Sequence, residues 1–277
     1  MGKNLGELTG SLLLFGGPYS NFQATESLQR CAEQLDIPAS NIICTGDVVA
    51  YCAQPNETIA LLRDWGIQVV MGNCEESLAT DATDCGCGFE KDSACDVLTD
   101  SWYPFAVQSV DAQHKRWMRN LPRSLRFNYC GKSFLVVHGG VERINQFIYA
   151  STDAAEKQGQ IEREGVDGII AGHSGLPFTQ QFDGLLWHNP GVIGMPANDG
   201  ASHGWYSLWY CESEKIRIEH HQLRYDDKLA QQKMYSAGLN NGYADALSSG
   251  LWPSMDVLPT AERKQRGFRI AESVIIY

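Results

Sequence analysis

The sequence predicts an α/β fold with a largely parallel sheet at its centre, on three observations. Mostly apolar runs of strand length alternate with stretches of helical length through the first 71 residues. Residues of metal-ligating type stand directly after several of these runs. The second half is richer in strands joined by tight Gly-containing turns, so hairpins are added to the parallel core.

Residues 12–15, LLLF, read as a buried strand that ends in a Gly-Gly-Pro turn, and a helical pattern follows over 23–35. Residues 41–45 form the next strand and run into Gly46-Asp47. A helix over 56–65 carries Ile59, Leu61 and Leu62 as its apolar positions, with Asn56 as its start, and a third strand over 67–71 leads into Gly72-Asn73. Strands and helices of these lengths indicate βαβ units. Later strands are predicted over 125–129, 133–138, 168–171, 185–188, 205–211 and 216–223, with a helix over 153–164 among them. Beyond Tyr225 the chain turns polar, and 226–237 is its clearest helix. No repeat, low-complexity tract or long linker divides the chain. The expected organisation is one domain over 1–225 with a C-terminal helical extension over 226–277 packed on it.

Charge narrows the function classes. Thirty-three acids against 22 bases leave a net charge of −11 in 277 residues, with no basic run, which argues against nucleic-acid duplexes and against an anionic membrane surface. No 18 apolar residues run together, and the four-residue apolar run near the start is too short for an export signal. Nine cysteines, an odd count without such a signal, are expected as reduced thiols in a cytoplasmic protein. Five of them, Cys31, Cys44, Cys52, Cys130 and Cys211, read as buried fillers or isolated thiols. Cys74, Cys85, Cys87 and Cys95 fall within 22 residues and form a cluster.

Four potential ligands follow predicted strands: Asp47 in TGDVVAY, Asn73 in MGNCEE, His138 in VVHGG and His173 in AGHSGLPF. In an open α/β sheet, ligands bind beyond the carboxyl ends of the strands. Singly, each has a plain structural explanation as a cap, an Asx-turn or a hydrogen-bonding His. Together, at equivalent positions, they point to a metal site.

In this order and neighbourhood the motifs resemble the calcineurin-like metallophosphoesterases, in particular their bacterial small-phosphodiesterase branch. That family reads D-x-H-G-N, then G-D, G-N-H-D/E, H and G-H-T-H after successive strands. FGGPYSNFQAT stands at the first motif, and WHNPGVIGMPANDG is similar to the family's N-P-G-S-V-G-Q-P-R-D-G. The resemblance spans residues 12 to about 225, and the AGLNNGYADALSSG tail is similar too. It implies a four-layer α-β-β-α sandwich and divalent metal, Mn, Fe or Zn, with at least one ion per chain.

It also exposes departures. The family's first metal site maps to Gly17, Tyr19, Asp47 and Gly175, where only Asp47 can ligate. The second maps to Asp47, Asn73, His138 and His173, all intact. The family's catalytic His is replaced by Cys74, which carries no positive charge to offer a leaving group. The implied function is a metal-dependent phosphoesterase for a small phosphodiester or phosphomonoester, with Cys74 at its active centre. The alternatives are a non-catalytic metal-stabilised binding or scaffold member, or a cysteine-rebuilt metal site with other chemistry. Little turnover of generic aryl phosphodiesters is expected.

Tyr19 and Asn21 are placed to contact substrate, although Asn21 also suits a turn. Cys85, Cys87 and Cys95 follow on a Gly-rich segment, where C-x-C lets two sulfurs face one ion, so they are possible additional metal ligands closing over the stripped site. The opposing picture has them as free thiols on a surface loop. His188 is expected to be structural, and His220 and His221 to lie on the surface. Glu75 and Glu76 are expected to favour a helix N-terminus.

Overall fold

Twelve strands among the described residues form two six-stranded sheets. The computed structural model describes residues 2–88 and 93–277, without the side chains at 95 and 96. The first sheet runs β1 (Lys3–Leu8), β5 (Ser124–Tyr129), β6 (Lys132–Val137), β7 (Gly168–Ala171), β9 (Leu185–Asn189), β8 (Phe178–Phe182). The second runs β12 (Ser273–Ile276), β11 (Lys215–Leu223), β10 (Gly204–Glu212), β2 (Leu12–Phe15), β3 (Ile42–Cys44), β4 (Gln68–Val69). β2, β3 and β4 pair in parallel, as do β6, β7 and β9 and the edge pair β1 and β5, while β5–β6, β8–β9, β2–β10, β10–β11 and β11–β12 are antiparallel.

Strand periodicity explains the layering. In β2, Leu12 and Leu14 join the core between the sheets, whereas Leu13 and Phe15 join the core under the helices. In β6, Phe134 and Val136 point inward against Trp209, and Leu135 and Val137 point outward into a third core with Ile161. Both faces of these strands are therefore buried, which is why they read as continuous apolar runs. Helices α1 (Phe22–Gln34) and α2 (Pro55–Trp65) cover the second sheet. α3 (Asn73–Ala79), α4 (Ala94–Ser109) and α5 (Ala112–Arg119) extend that layer, and α6 (Ala154–Glu164) covers the first sheet. This is the expected four-layer sandwich.

Helix ends follow local chemistry. Asn21 caps α1 by accepting from Ala24 N, and α2 opens with Pro55 and closes on Gly66 at φ 75°. The C-terminal stretch carries α7 (Asp227–Ser236), α8 (Gly242–Ser249) and α9 (Thr260–Arg263). It does not stay helical: β12 pairs antiparallel with β11 over Arg217–His220. The open backbone edge of β11 is thereby closed by the end of the chain.

Two expectations are corrected here. Cys130 and Cys211 are not isolated thiols but a disulfide with Cα atoms 5.5 Å apart, joining the β5–β6 turn of one sheet to the end of β10 in the other. Cys85 and Cys87 are also paired, leaving Cys31, Cys44, Cys52 and Cys74 as free thiols among the described residues. His220 is only 3% exposed, because it shares the inward face of β11 with Ile216 and Ile218. Among the described residues no helix is long and apolar enough to cross a membrane.

Candidate metal centre

Asp47 follows β3, Asn73 opens α3 just after β4, His138 follows β6 and His173 follows β7. The carboxyl ends of parallel strands from both sheets thus meet at one place. His138 Nε2 lies 3.2 Å from Asp47 Oδ2, 3.0 Å from Asn73 Oδ1 and 3.1 Å from His173 Nδ1. His173 Nδ1 lies 3.9 Å from the same Asp47 oxygen. Two ligand atoms about 2.1 Å from one ion and at right angles to each other stand about 3.0 Å apart, so these are separations that a single ion would span.

The local backbone is arranged to allow this. Asp47 and His173 both sit at left-handed φ, 55° and 58°, an uncommon conformation for residues other than Gly. Gly46 precedes Asp47 at φ 98°, and a Cβ there would stand 2.9 Å from His138 Nδ1 and 2.8 Å from Gly72 N. Glu75 holds the loop from beneath. Its carboxylate accepts from Asp47 N at 2.8 Å, Gly72 N at 2.9 Å and Val49 N at 3.1 Å. Burial and the charge of Asp47 push its pKa up to about 7 against the pull of those donors. Sequence reasoning read Glu75 only as a favourable charge at a helix start; its family motif position was the signal that it could do more.

The protonation pattern tests whether these residues fit a cation. His138 Nδ1 is 2.7 Å from the Thr45 carbonyl and donates to it, which leaves Nε2 with a lone pair in the neutral ring. Asn73 gives its amide hydrogens to Cys85 O at 2.9 Å and to two sulfurs, so its Oδ1 is what faces the centre. A carboxylate, an amide oxygen and an imidazole nitrogen therefore crowd together, and either a proton on His138 Nε2 or a metal ion must sit among them. Burial opposes the charge on Asp47, yet His138 and His173 outweigh it and hold the carboxyl well below its usual range. Burial likewise opposes charge on His138, and Asp47 outweighs it and raises that pKa. His173 is lowered, by burial first, and its Nε2 is buried without a hydrogen-bond partner. The donor set fits a divalent cation.

The other half of the pocket is aromatic. A cavity of about 60 Å³ adjoins Asp47 and His173, walled by Tyr19, Phe147, Val192 and, from the C-terminal stretch, Tyr243 and Trp252. Trp252 is anchored there by its Nε1 donating to Pro196 O at 2.6 Å. Among the described residues, none that lines the cavity is Lys or Arg. Gly17 and Gly175, at positions where the resemblance expects metal ligands, offer none. The Tyr19 ring lies over Gly17 so closely that a Cβ at 17 would be 2.5 Å from it. Burial, then the charge of Asp47, raises the Tyr19 hydroxyl well above its usual pKa, so it stays neutral.

The remaining expected site residues divide. Asn21 does not face the cavity: it is buried, capping α1 and donating to Gly194 O at 3.0 Å, so the reading as a substrate contact is corrected. Cys74 is buried against the ligands, with its backbone N donating to Asp47 Oδ1 at 3.3 Å, and burial, then Asp47, pushes its thiol pKa well up. The C-x-C segment does fold onto the site rather than over the surface. Cys87 lines the cavity, and its Sγ is 3.3 Å from Asn73 Nδ2. The sulfur of Cys95 lies outside the described residues. His188 is structural, bonded through Nδ1 to Thr179 Oγ1 and through Nε2 to Ser207 Oγ, each at 2.8 Å.

A two-sheet sandwich with a buried carboxylate, amide and His pair at its strand ends defines the class: a fold whose donor set at that point fits a metal ion. Residues 22–236 match the model of the calcineurin-like phosphoesterase superfamily domain, and the chain belongs to that family. An uncharacterized protein of Methanocaldococcus jannaschii is 26% identical over 248 residues, covering 84% of this chain and 95% of that protein. Among solved structures, a metallophosphoesterase from Sphaerobacter thermophilus superposes with a TM-score of 0.68 at 19% identity, covering 88% of this chain and 100% of that one. A hypothetical protein from Pyrococcus horikoshii gives 0.72 at 15% identity, covering 87% and 98%. At such identities the two structures speak for the fold alone.

Proposed function

We propose that the protein is a metal-dependent phosphoesterase acting on a small phosphodiester or phosphomonoester through one ion held by Asp47, Asn73, His138 and His173. The observation that carries this reading is the meeting of four ligating atoms, three of them within 3.2 Å of His138 Nε2. When bound, the ion would polarise a phosphoryl oxygen and lower the pKa of a coordinated water. The chain's own contribution is positional. Thr45 O fixes the His138 tautomer, Glu75 fixes the Asp47 loop, and Tyr19, Phe147 and Trp252 wall the cavity. With no Lys or Arg among the described lining residues, neutralising the phosphate falls on the ion, and Tyr19 can supply a neutral donor only. Cys74, buried against the ligands with its thiol held neutral, is given no proton-transfer role. Turnover of generic aryl phosphodiesters is therefore expected to be slow.

A second reading, a metal-stabilised binding member without catalysis, is favoured by one observation: Tyr19 occupies space beside Gly17 where a ligand would stand. Phosphate release from small mono- and diesters, with Mn²⁺, Fe²⁺ or Zn²⁺ added in turn, separates the two. Metal-dependent turnover that disappears in Asp47→Asn supports the enzyme. An ion-loaded protein that turns over none of them leaves the binding reading.

A further inference from the structure

The C-terminal extension carries a local reversal of the chain's charge. Residues 263–269, RKQRGFR, hold four bases and no acid in a chain whose net charge is −11. Gln265, Gly267 and Phe268 interrupt these bases, so they form no run. All seven residues are exposed, and Phe268, at 67%, is the most exposed large apolar side chain among the described residues. We propose that this segment, with the groove it borders, is a docking surface for single-stranded nucleic acid. The surface shares no residue with the metal quartet and goes beyond the phosphoesterase reading.

The backbone is pinned on both sides of the exposed ring. After α9, Gln265 N and Arg266 N donate to Glu262 O and Arg263 O at 3.0 and 3.3 Å, continuing a tight turn. Gly267 breaks that turn at φ 78°, and its N donates to Asn198 O at 2.8 Å. Ile270 N donates to Asp199 Oδ2 at 3.1 Å, which fixes the far side. Phe268 is therefore presented to water by a held turn, against the cost of leaving its ring exposed. A groove of about 480 Å³ runs beside it, and Ser151, Asn198, Gln265, Arg266, Phe268 and Arg269 form part of its lining. The acids close to the groove are already engaged. Glu262 accepts from Ser151 N and Oγ at 3.0 and 2.6 Å, and Asp199, 1% exposed, accepts from Ala201 N and Ile270 N. Among the described residues, neither Arg266 nor Arg269 forms an ion pair.

The chemistry selects the partner. Guanidinium groups pair bidentately with phosphate oxygens, and an exposed ring beside them offers a face on which an unpaired base stacks. A duplex keeps its bases stacked on one another and has no use for the ring. A membrane contact calls for an amphipathic helix, and α9 is only four residues long. An acidic peptide would use the arginines and leave the ring without a role. The overall charge does not oppose docking here. At about 0.15 M salt the Debye length is about 8 Å, so most charge elsewhere on the chain is screened from a ligand on this segment.

The test is fluorescence anisotropy of a short labelled oligothymidylate titrated with the full chain at stepped salt. Binding should weaken as salt rises, with a logarithmic slope of about −0.7 per phosphate contact. Arg266→Ser/Arg269→Ser should lower the magnitude of that slope by about 1.4, and Arg266→Lys/Arg269→Lys should restore it. Phe268→Ala should keep the slope and weaken binding about tenfold at every salt, through loss of one stacked base. These side chains are exposed, so folding and metal content should match the wild type and serve as controls. His138→Ala and chelator-treated protein should bind the oligonucleotide as the wild type does, so failure of the metal centre leaves this surface standing. The matched duplex should bind more weakly than the single strand. The proposal is overturned by no anisotropy change at about 100 µM protein in low salt, where phosphate contacts are strongest. It is equally overturned by a slope indifferent to both arginines, or by an affinity indifferent to Phe268. Capture by phosphatidylglycerol vesicles without oligonucleotide binding would make the segment a membrane contact instead.

Discussion

The two ends of the sandwich are built on opposite principles. At the strand ends that carry Asp47, Asn73, His138 and His173, lone pairs face one another and two ligands sit at left-handed φ. At the other end the sheets are locked by the Cys130–Cys211 bond, and Tyr129 donates to the carbonyls of Gly10 and Trp209 at 2.8 and 3.1 Å. Phe127, Phe134 and Trp209 pack as an aromatic cluster beside that lock. One end concentrates groups that are costly to bury without a cation. The other supplies covalent and apolar contacts that stabilise the frame whether or not an ion is present.

Reducing the Cys130–Cys211 bond should have the largest effect on stability and the smallest on the site. Closing an 81-residue separation corresponds to about 4.5 kcal/mol in the chain-entropy limit. Denaturant unfolding of Cys130→Ser/Cys211→Ser should show a loss of that order with the quartet's metal content unchanged. A parallel loss of metal would mean that the two ends are not independent.

Acid should come next, through groups between the sheets rather than at the quartet. Burial, then the charge of His221, lowers His220 to about 4, and burial, then His220, lowers His188 well below its usual value. The unfolded chain then binds more protons than the native one over the interval below the ordinary His pKa. Stability is full above about pH 6.5 and falls as pH drops towards 4, by on the order of 3 kcal/mol for His220. Unfolding curves at stepped pH check this, and His220→Asn should flatten the fall. A pH-independent midpoint across that window would contradict the buried neutral pair.

At the site end, saturating metal should stabilise. An ion at 100 times its dissociation constant adds about 2.7 kcal/mol, and the gain should vanish in His138→Ala. Smaller still is the expected effect of Glu75→Gln, about 2 kcal/mol, because with the amide oxygen kept on the Asp47 and Gly72 N–H groups its NH2 is set against the Val49 N–H, donor against donor. Its metal affinity should also fall, since Asp47 loses its support. Equal affinity in that variant would assign Glu75 to stability alone.

Much of the frame was legible because its strands are buried on both faces. LLLF, IIC and the run before His138 needed no partner to be recognised, and the ligands behind them followed from strand ends. What escaped reading depends on distant pairing. β12 forms only because β11 offers an open edge, and Cys130 meets Cys211 only through the facing of the two sheets. α4, with Pro104 inside it, shows weak amphipathicity beside the cysteine segment. His220 was misread from its charged neighbours, although the alternation Ile216, Ile218, His220 already placed it inward. Glu75 and the Thr45 carbonyl act through backbone geometry, which no residue type announces.

The quartet is tested most directly by counting metal. Protein purified without chelator or affinity tag and held oxidised should carry one ion of Mn, Fe or Zn per chain by elemental analysis. His138→Ala, folded by circular dichroism, should carry none. A wild-type value near zero, or an unchanged value in the variant, would contradict the assignment of Asp47, Asn73, His138 and His173 as the metal centre.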